Sequence, residues 1–165
     1  MKKTGIFYGS SAGNTEAVAK TIAKKLNAEI YDVSRNPVDK ISQYENLILG
    51  TSTLGLGDLQ DDWDAFLSDF EKSDLSGKTI ALFGLGDAAT YPDTFVDGMG
   101  TLYETIKDKG CRIIGQVDPQ GYDFDDSTAL VNGKFVGLPL DEDNESDLTD
   151  SRVDKWIDEL TAAFE

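Results

Sequence analysis

With 31 acidic against 15 basic residues in a chain of 165, the formal charge of −16 disfavours nucleic acid and anionic membrane surfaces as partners and favours a basic protein. The absence of histidine and the single cysteine remove the parts for the common metal sites, for His-based nucleophilic triads and for any internal disulfide. The length suits one domain spanning residues 1–165, with a core of its own.

Lys2 and Lys3 open the chain, but no long apolar run follows them and none elsewhere approaches membrane-spanning length, so a cytoplasmic protein is expected. Ile6-Phe7-Tyr8 reads as a short buried strand. After Thr15, Val18, Ile22 and Leu26 recur at helical spacing while Glu16, Lys20 and Lys24 take another face. Between strand and helix lies the small-residue turn Gly9-Ser10-Ser11-Ala12-Gly13-Asn14-Thr15. A strand feeding a helix in this way presents backbone N–H groups at the positive end of the helix dipole, where a phosphate binds well. The turn holds no Lys or Arg, and Asn14 stands where a Walker loop would carry its lysine. Hydrolysis of a nucleotide is therefore disfavoured. The pattern suits either a phosphate monoester that is held and left alone, or an ordinary tight turn.

Residues 28–33 predict a second strand. The wholly apolar runs Leu47-Ile48-Leu49-Gly50 and Ile80-Ala81-Leu82-Phe83-Gly84 predict central strands covered on both faces. A fifth strand starts at Arg112-Ile113-Ile114-Gly115. Trp63, Phe66, Leu67 and Phe70 mark one helix, and Phe95, Met99, Leu102, Tyr103 and Ile106 another, with Gly110 placed to stop it. The last helix carries Val153, Trp156, Ile157, Leu160 and Phe164, with Thr149 as its expected N-cap. Both tryptophans are expected in the core, and Cys111, beside Ile113 and Ile114, reads as a structural thiol. From 116 to 137 the pattern breaks into Gly, Asp, aromatic and polar residues before Phe135-Val136-Gly137-Leu138 resumes a strand, which predicts an insertion splitting the fifth strand.

Alternating strands and helices imply right-handed crossovers and a mostly parallel sheet with helices on both faces. Ligands of such a sheet bind beyond the carboxyl ends of its strands. That rule selects residues 9–15, 51–59 and 85–94, all rich in Gly, Ser, Thr and Asp. A flat heterocycle fits between Leu54 and Tyr91, with a phosphate tail in the first loop.

Several separate stretches, in order and over essentially the full length, resemble the long-chain flavodoxins. They are Gly9 through Thr15, Thr53-Leu54-Gly55, Gly86-Asp87 through Tyr91, Gly121-Tyr122-Asp123-Phe124, Phe135-Val136-Gly137-Leu138 and Leu140-Asp141-Glu142-Asp143-Asn144. The resemblance implies a three-layer doubly wound α/β fold whose five-stranded parallel sheet has the order 2-1-3-4-5, as in flavodoxin itself. It also implies a tightly but non-covalently bound FMN used for low-potential one-electron transfer. Ser10, Ser11, Ala12, Gly13, Asn14 and Thr15 would then hold the phosphate. Thr53, Leu54, Gly55, Gly86, Asp87 and Tyr91 would surround the ring, Asp143 would reach the ribityl chain, and Ser52, Gly57 and Leu85 complete the cofactor-binding set. Many relatives carry Trp at the place of Leu54, Asn at that of Thr94 and a small polar residue at that of Leu85, so no aromatic face is expected at Leu54 and no amide contact at Thr94. Gly55 reaches positive φ cheaply, so its peptide either turns over with the redox state of the ring, as the family resemblance suggests, or serves only the turn.

The implied partners are basic redox proteins: an NADPH-dependent flavodoxin reductase as donor and low-potential acceptor enzymes. The Leu54-Gly55 pair, similar to that of members associated with nitrogen fixation, adds nitrogenase to the acceptors. A monomer is expected. Three other readings differ in their requirements. A signalling receiver domain needs acidic residues after the first strand and an Asp after the third, where this chain has Gly9-Ser10 and Thr51-Ser52. A flavin-dependent reductase needs room for a second substrate and a proton donor, neither of which the sequence offers. A simple FMN store or interaction protein needs only the binding loops.

Overall fold

The computed structural model describes residues 3–164; Met1, Lys2 and Glu165 lie outside the described residues. Five parallel strand positions form the central sheet. The first four are β1 (Thr4–Gly9), β2 (Glu29–Asp32), β3 (Asn46–Leu54) and β5 (Thr79–Leu85). The fifth is shared by β6 (Arg112–Ile114) and β9 (Leu138–Leu140), which pair with the first and last thirds of β5 respectively. The spatial order β2-β1-β3-β5-β6 is the one expected from the resemblance, and the fifth strand is split as predicted.

Side chains alternate across the sheet with a period of two, and each face has its own helices. Phe7, Leu47, Leu49, Ile80 and Leu82 pack on α2 (Asp61–Lys72) and α3 (Asp97–Ile106). Ile6, Tyr8, Ile48, Ala81 and Phe83 face α1 (Asn14–Leu26) and α4 (Thr149–Ala163). The helices run back from the carboxyl ends of the strands, so their first turns gather at one end of the sheet. Both tryptophans are buried as expected; Trp63 ties its helix to the middle of β3, and Trp156 ties its helix to the residue after β6. Trp63 Nε1 donates to the Gly50 carbonyl at 2.8 Å and Trp156 Nε1 to that of Gly115 at 2.8 Å.

Four expectations need correction. Residues 51–54, predicted as loop, continue β3, because Thr51 and Ser52 remain paired with Gly84 and Leu85. Thr53 and Leu54 then pair antiparallel with the two-residue strand β4 (Asp58–Leu59). Phe135 does not belong to the fifth strand; it closes a small hairpin of β7 (Leu130–Val131) and β8 (Lys134–Phe135), and the fifth strand resumes only at Leu138. Phe95 precedes α3 and is buried by the insertion. Thr149 is not an N-cap, since a 3-10 turn over Ser146–Leu148 leads straight into α4, and the Thr149 hydroxyl donates instead to the Glu142 carboxylate.

Candidate functional site

A cavity of about 230 Å³ opens at the carboxyl end of the sheet. The first loop lines it with Ser10, Ser11, Ala12, Asn14 and Thr15, and the end of β3 with Ser52, Thr53 and Leu54. Leu85, Gly86, Asp87 and Tyr91 form a third wall, and Glu142 and Asp143 a fourth. Thirteen of the sixteen expected site residues thus meet in one place. Gly13, Gly55 and Gly57 do not line the cavity; each sits at a turn with positive φ, of 93°, 51° and 107° respectively. Glu142 was not foreseen, because it reads as one more charge in an acidic run.

Local chemistry shapes each wall. Ser10 Oγ accepts from the N–H groups of Gly13 (3.1 Å) and Glu16 (3.3 Å), which fixes the loop against the start of α1. The other first-turn amides have no acceptor within the helix, so donors converge where the dipole is positive. Behind the loop stands Gln60, fully buried. Its Oε1 accepts from the Trp63 N–H (3.1 Å), and its Nε2 donates to Ser11 Oγ (3.2 Å) and to Asp62 Oδ2 (2.9 Å). A side chain at Gly9 would meet Gln60 Oε1 at 2.2 Å, so close approach requires glycine there. Nothing in the sequence distinguishes Gln60 from any other polar residue ahead of a helix.

The β3 wall carries donors. Thr53 Oγ1 accepts from the Gly98 N–H at 3.0 Å, which leaves its own proton for another acceptor. Ser52 Oγ is the one buried side-chain oxygen or nitrogen without a hydrogen-bond partner among the described residues. Such an orphan is costly in a finished core. Ser52 itself lines the cavity, at the end of β3.

The remaining walls are tied by Asp141, buried, whose Oδ2 accepts from the Ala88 N–H (3.0 Å) and whose Oδ1 accepts from the Asn144 N–H (3.0 Å). Asn144 Nδ2 also donates to Asp87 Oδ1 at 2.9 Å. Burial pushes the Asp87 carboxyl up, but hydrogen bonds from Thr90, Asn144 and Ala89 outweigh it and hold the group below the ordinary carboxylate range. Asp143 shifts the other way: burial, then repulsion from Asp87, Asp141 and Glu142, raises it. The end of the sheet is therefore strongly negative, apart from the first loop.

The donor set fits a phosphate monoester at the α1 end, and Leu54, Leu85 and Tyr91 supply apolar surface for a ring. Pockets that enclose a small ligand hold roughly 300–1,000 Å³. The cavity here, at about 230 Å³, is smaller than that.

Residues 6–156 match the family model described as flavodoxin. The chain is 46% identical to the flavodoxin of Helicobacter pylori over 165 residues, covering 99% of both chains. It is 45% identical to that of a Nostoc species over 166 residues, with 99% of this chain and 98% of the relative covered. Among solved structures, Fusobacterium nucleatum flavodoxin bound to flavin mononucleotide superposes with a TM-score of 0.94 at 34% identity, over the whole of both chains.

Proposed function

The chain belongs to the flavodoxin family, and on that footing we propose that it holds FMN non-covalently in this cavity and carries electrons from a reductase to acceptor enzymes. The bound flavin supplies the one-electron chemistry. The protein supplies grip, polarity and access. Ser10, Ser11, Asn14, Thr15 and the first-turn amides of α1 hold the phosphate without a cation, while Thr53 offers a further donor beside Ser52 on the β3 wall. Leu54, Leu85, Gly86 and Tyr91 form the ring walls, and Asp143 lies on the side where a ribityl chain would pass. The observation that carries this assignment is a single cavity at the carboxyl end of the sheet, lined together by the donor-rich first loop, the end of β3 and the loop over residues 85–91.

Charge supports the choice of partner. Asp61 and Asp62 begin α2 beside the cavity, and Asp58, Asp87 and Asp143 are close by, whereas Lys24, Lys25, Lys72 and Lys107 end their helices at the far end of the sheet. A basic redox protein is thus drawn to the cavity end, and its association weakens as salt rises. Leu56, 81% exposed on the turn between β3 and β4, offers it an apolar contact inside an acidic rim. An NADPH-dependent reductase as donor, low-potential acceptors, a monomeric single-domain state and a cytoplasmic setting complete the proposal. No described helix is long and apolar enough to cross a membrane, and Cys111 is a free thiol.

Mixing the flavin-free chain with FMN tests the assignment. Quenching of flavin fluorescence to a one-to-one end point is expected, with no consumption of NADPH until a reductase is added. A chain that leaves FMN fluorescence unchanged overturns the proposal, and rapid unaided NADPH oxidation would make the protein an enzyme instead.

A further inference from the structure

Val96 is buried in the left-handed region, with φ 50° and ψ 32°, where a β-branched residue is an outlier. It joins the Tyr91 loop to α3. A side chain on Gly86 would meet the Val96 backbone nitrogen at 2.9 Å, so the Leu85-Gly86 wall rests directly on this residue. Strained conformations persist only where their surroundings over-determine them.

Here the surroundings are the insertion. Before Val96, the Phe95 N–H donates to the Asp126 carbonyl (3.3 Å), and the Phe95 carbonyl accepts from Ser127 Oγ (2.5 Å). After it, Asp97 Oδ1 accepts from the Thr128 N–H at 2.9 Å. Ser127 is itself buried, and its Oγ also accepts from the Ala129 N–H (3.0 Å). The Pro92 carbonyl accepts from the N–H groups of Asp125 (2.8 Å) and Asp126 (3.0 Å). The Phe95 ring packs on Phe124 and Phe135, with centroids 5.6 and 6.1 Å away. A segment serving only to cover the sheet edge has no need to bond both neighbours of one strained residue.

We infer that residues 125–128 of the insertion clamp Val96 from both sides and so fix the Tyr91 wall of the cavity, with Ser127 and Asp97 as positioning residues. The clamp stands on its own geometry; its effect on ring binding rests on the flavin reading above. Removing one such buried bond loosens the loop by about 5- to 30-fold.

The test compares Ser127→Ala, Asp97→Ala and Asp97→Asn, the last of which keeps an acceptor for the Thr128 N–H. In the flavin-free chain, hydrogen exchange at the Tyr91 and Phe95 amides should quicken about 5- to 30-fold in the two alanine variants and stay at the parent rate in Asp97→Asn, with the β1 amides unchanged. Riboflavin, which lacks the phosphate, should bind the alanine variants weaker by the same factor, while inorganic phosphate binds all four proteins alike. Parent-like exchange at Tyr91 and Phe95 in Ser127→Ala overturns the clamp, as does an equal rise at β1 or a matching loss of phosphate affinity. If Asp97→Ala does not fold, Ser127→Ala alone decides. If the parent ignores riboflavin and FMN, the cofactor reading falls and the exchange rates still judge the clamp.

Discussion

Replacing Gln60 by alanine removes the support of the first loop without altering any residue that itself lines the cavity. In the parent, its Oε1 satisfies the buried Trp63 N–H, and its Nε2 holds Ser11. The truncation leaves that N–H without an acceptor in a site closed to water, at a cost of about 1–3 kcal/mol. It also withdraws one buried methylene, at about 0.8 kcal/mol. Ser11 and Asp62 are open enough to water to recover their lost bonds from solvent, so they add little. The expected loss is about 2–4 kcal/mol of unfolding free energy. Urea denaturation of the flavin-free chain reads it as a lower midpoint, at a slope unchanged from the usual ~1–3 kcal/mol/M. Inorganic phosphate should bind the variant more weakly, because Ser11 loses its anchor. Gln60→Glu keeps an acceptor for Trp63 but sets a buried carboxylate beside Asp62 and the loop; it should weaken phosphate binding further and cost at least as much stability. A loss below about 1 kcal/mol in Gln60→Ala, with phosphate affinity intact, would refute the supporting role of this side chain.

Two further outcomes follow from the site. Gly55→Val forces a β-branched residue to φ 51° and should destabilise the flavin-free chain by about 1–2 kcal/mol; if the peptide turns with redox state, it also narrows the gap between the two one-electron potentials, and an unchanged gap in a potentiometric titration shows that the glycine serves only the turn. Asp143 is raised by burial and by its acidic neighbours, so its ionisation in the fold opposes stability above the ordinary carboxylate pKa of about 3.9. Asp143→Asn should therefore raise the urea midpoint at neutral pH, with the gain shrinking as pH falls through the raised pKa of the folded state; a gain independent of pH would place its origin outside that carboxyl.

Periodicity carried most of the architecture. Leu47 to Gly50 and Ile80 to Gly84 are apolar on both faces because both faces are covered, and that alone marks central strands. The rule that ligands gather at the carboxyl ends of parallel strands then brought Ser10, Thr53 and Asp87 together before any contact was known. Errors arose where a local signal served a distant partner. Thr51 to Leu54 read as loop because polar residues that line a cavity look like turn residues, although β5 still pairs with the first two. Phe135 has the composition of a core strand, but its partners are Leu130 and Val117 in the insertion. Thr149 has a capping side chain that bonds Glu142 instead. Gln60 left no trace, since its role depends on burial from several loops at once, and Ser52 entered only through the family resemblance.

Dividing the fifth strand between β6 and β9 also orders events during synthesis. Chain emerging from a ribosome at roughly 5–20 residues per second can pair β1, β2, β3, β5 and β6 as soon as Ile114 is free. The Gly86 N–H, however, finds its acceptor only in Leu140, and the Ala88 N–H only in Asp141. Nascent chains lacking those residues leave the mouth of the cavity open, so prosthetic-group capture waits until Leu140 and Asp141 have emerged as well.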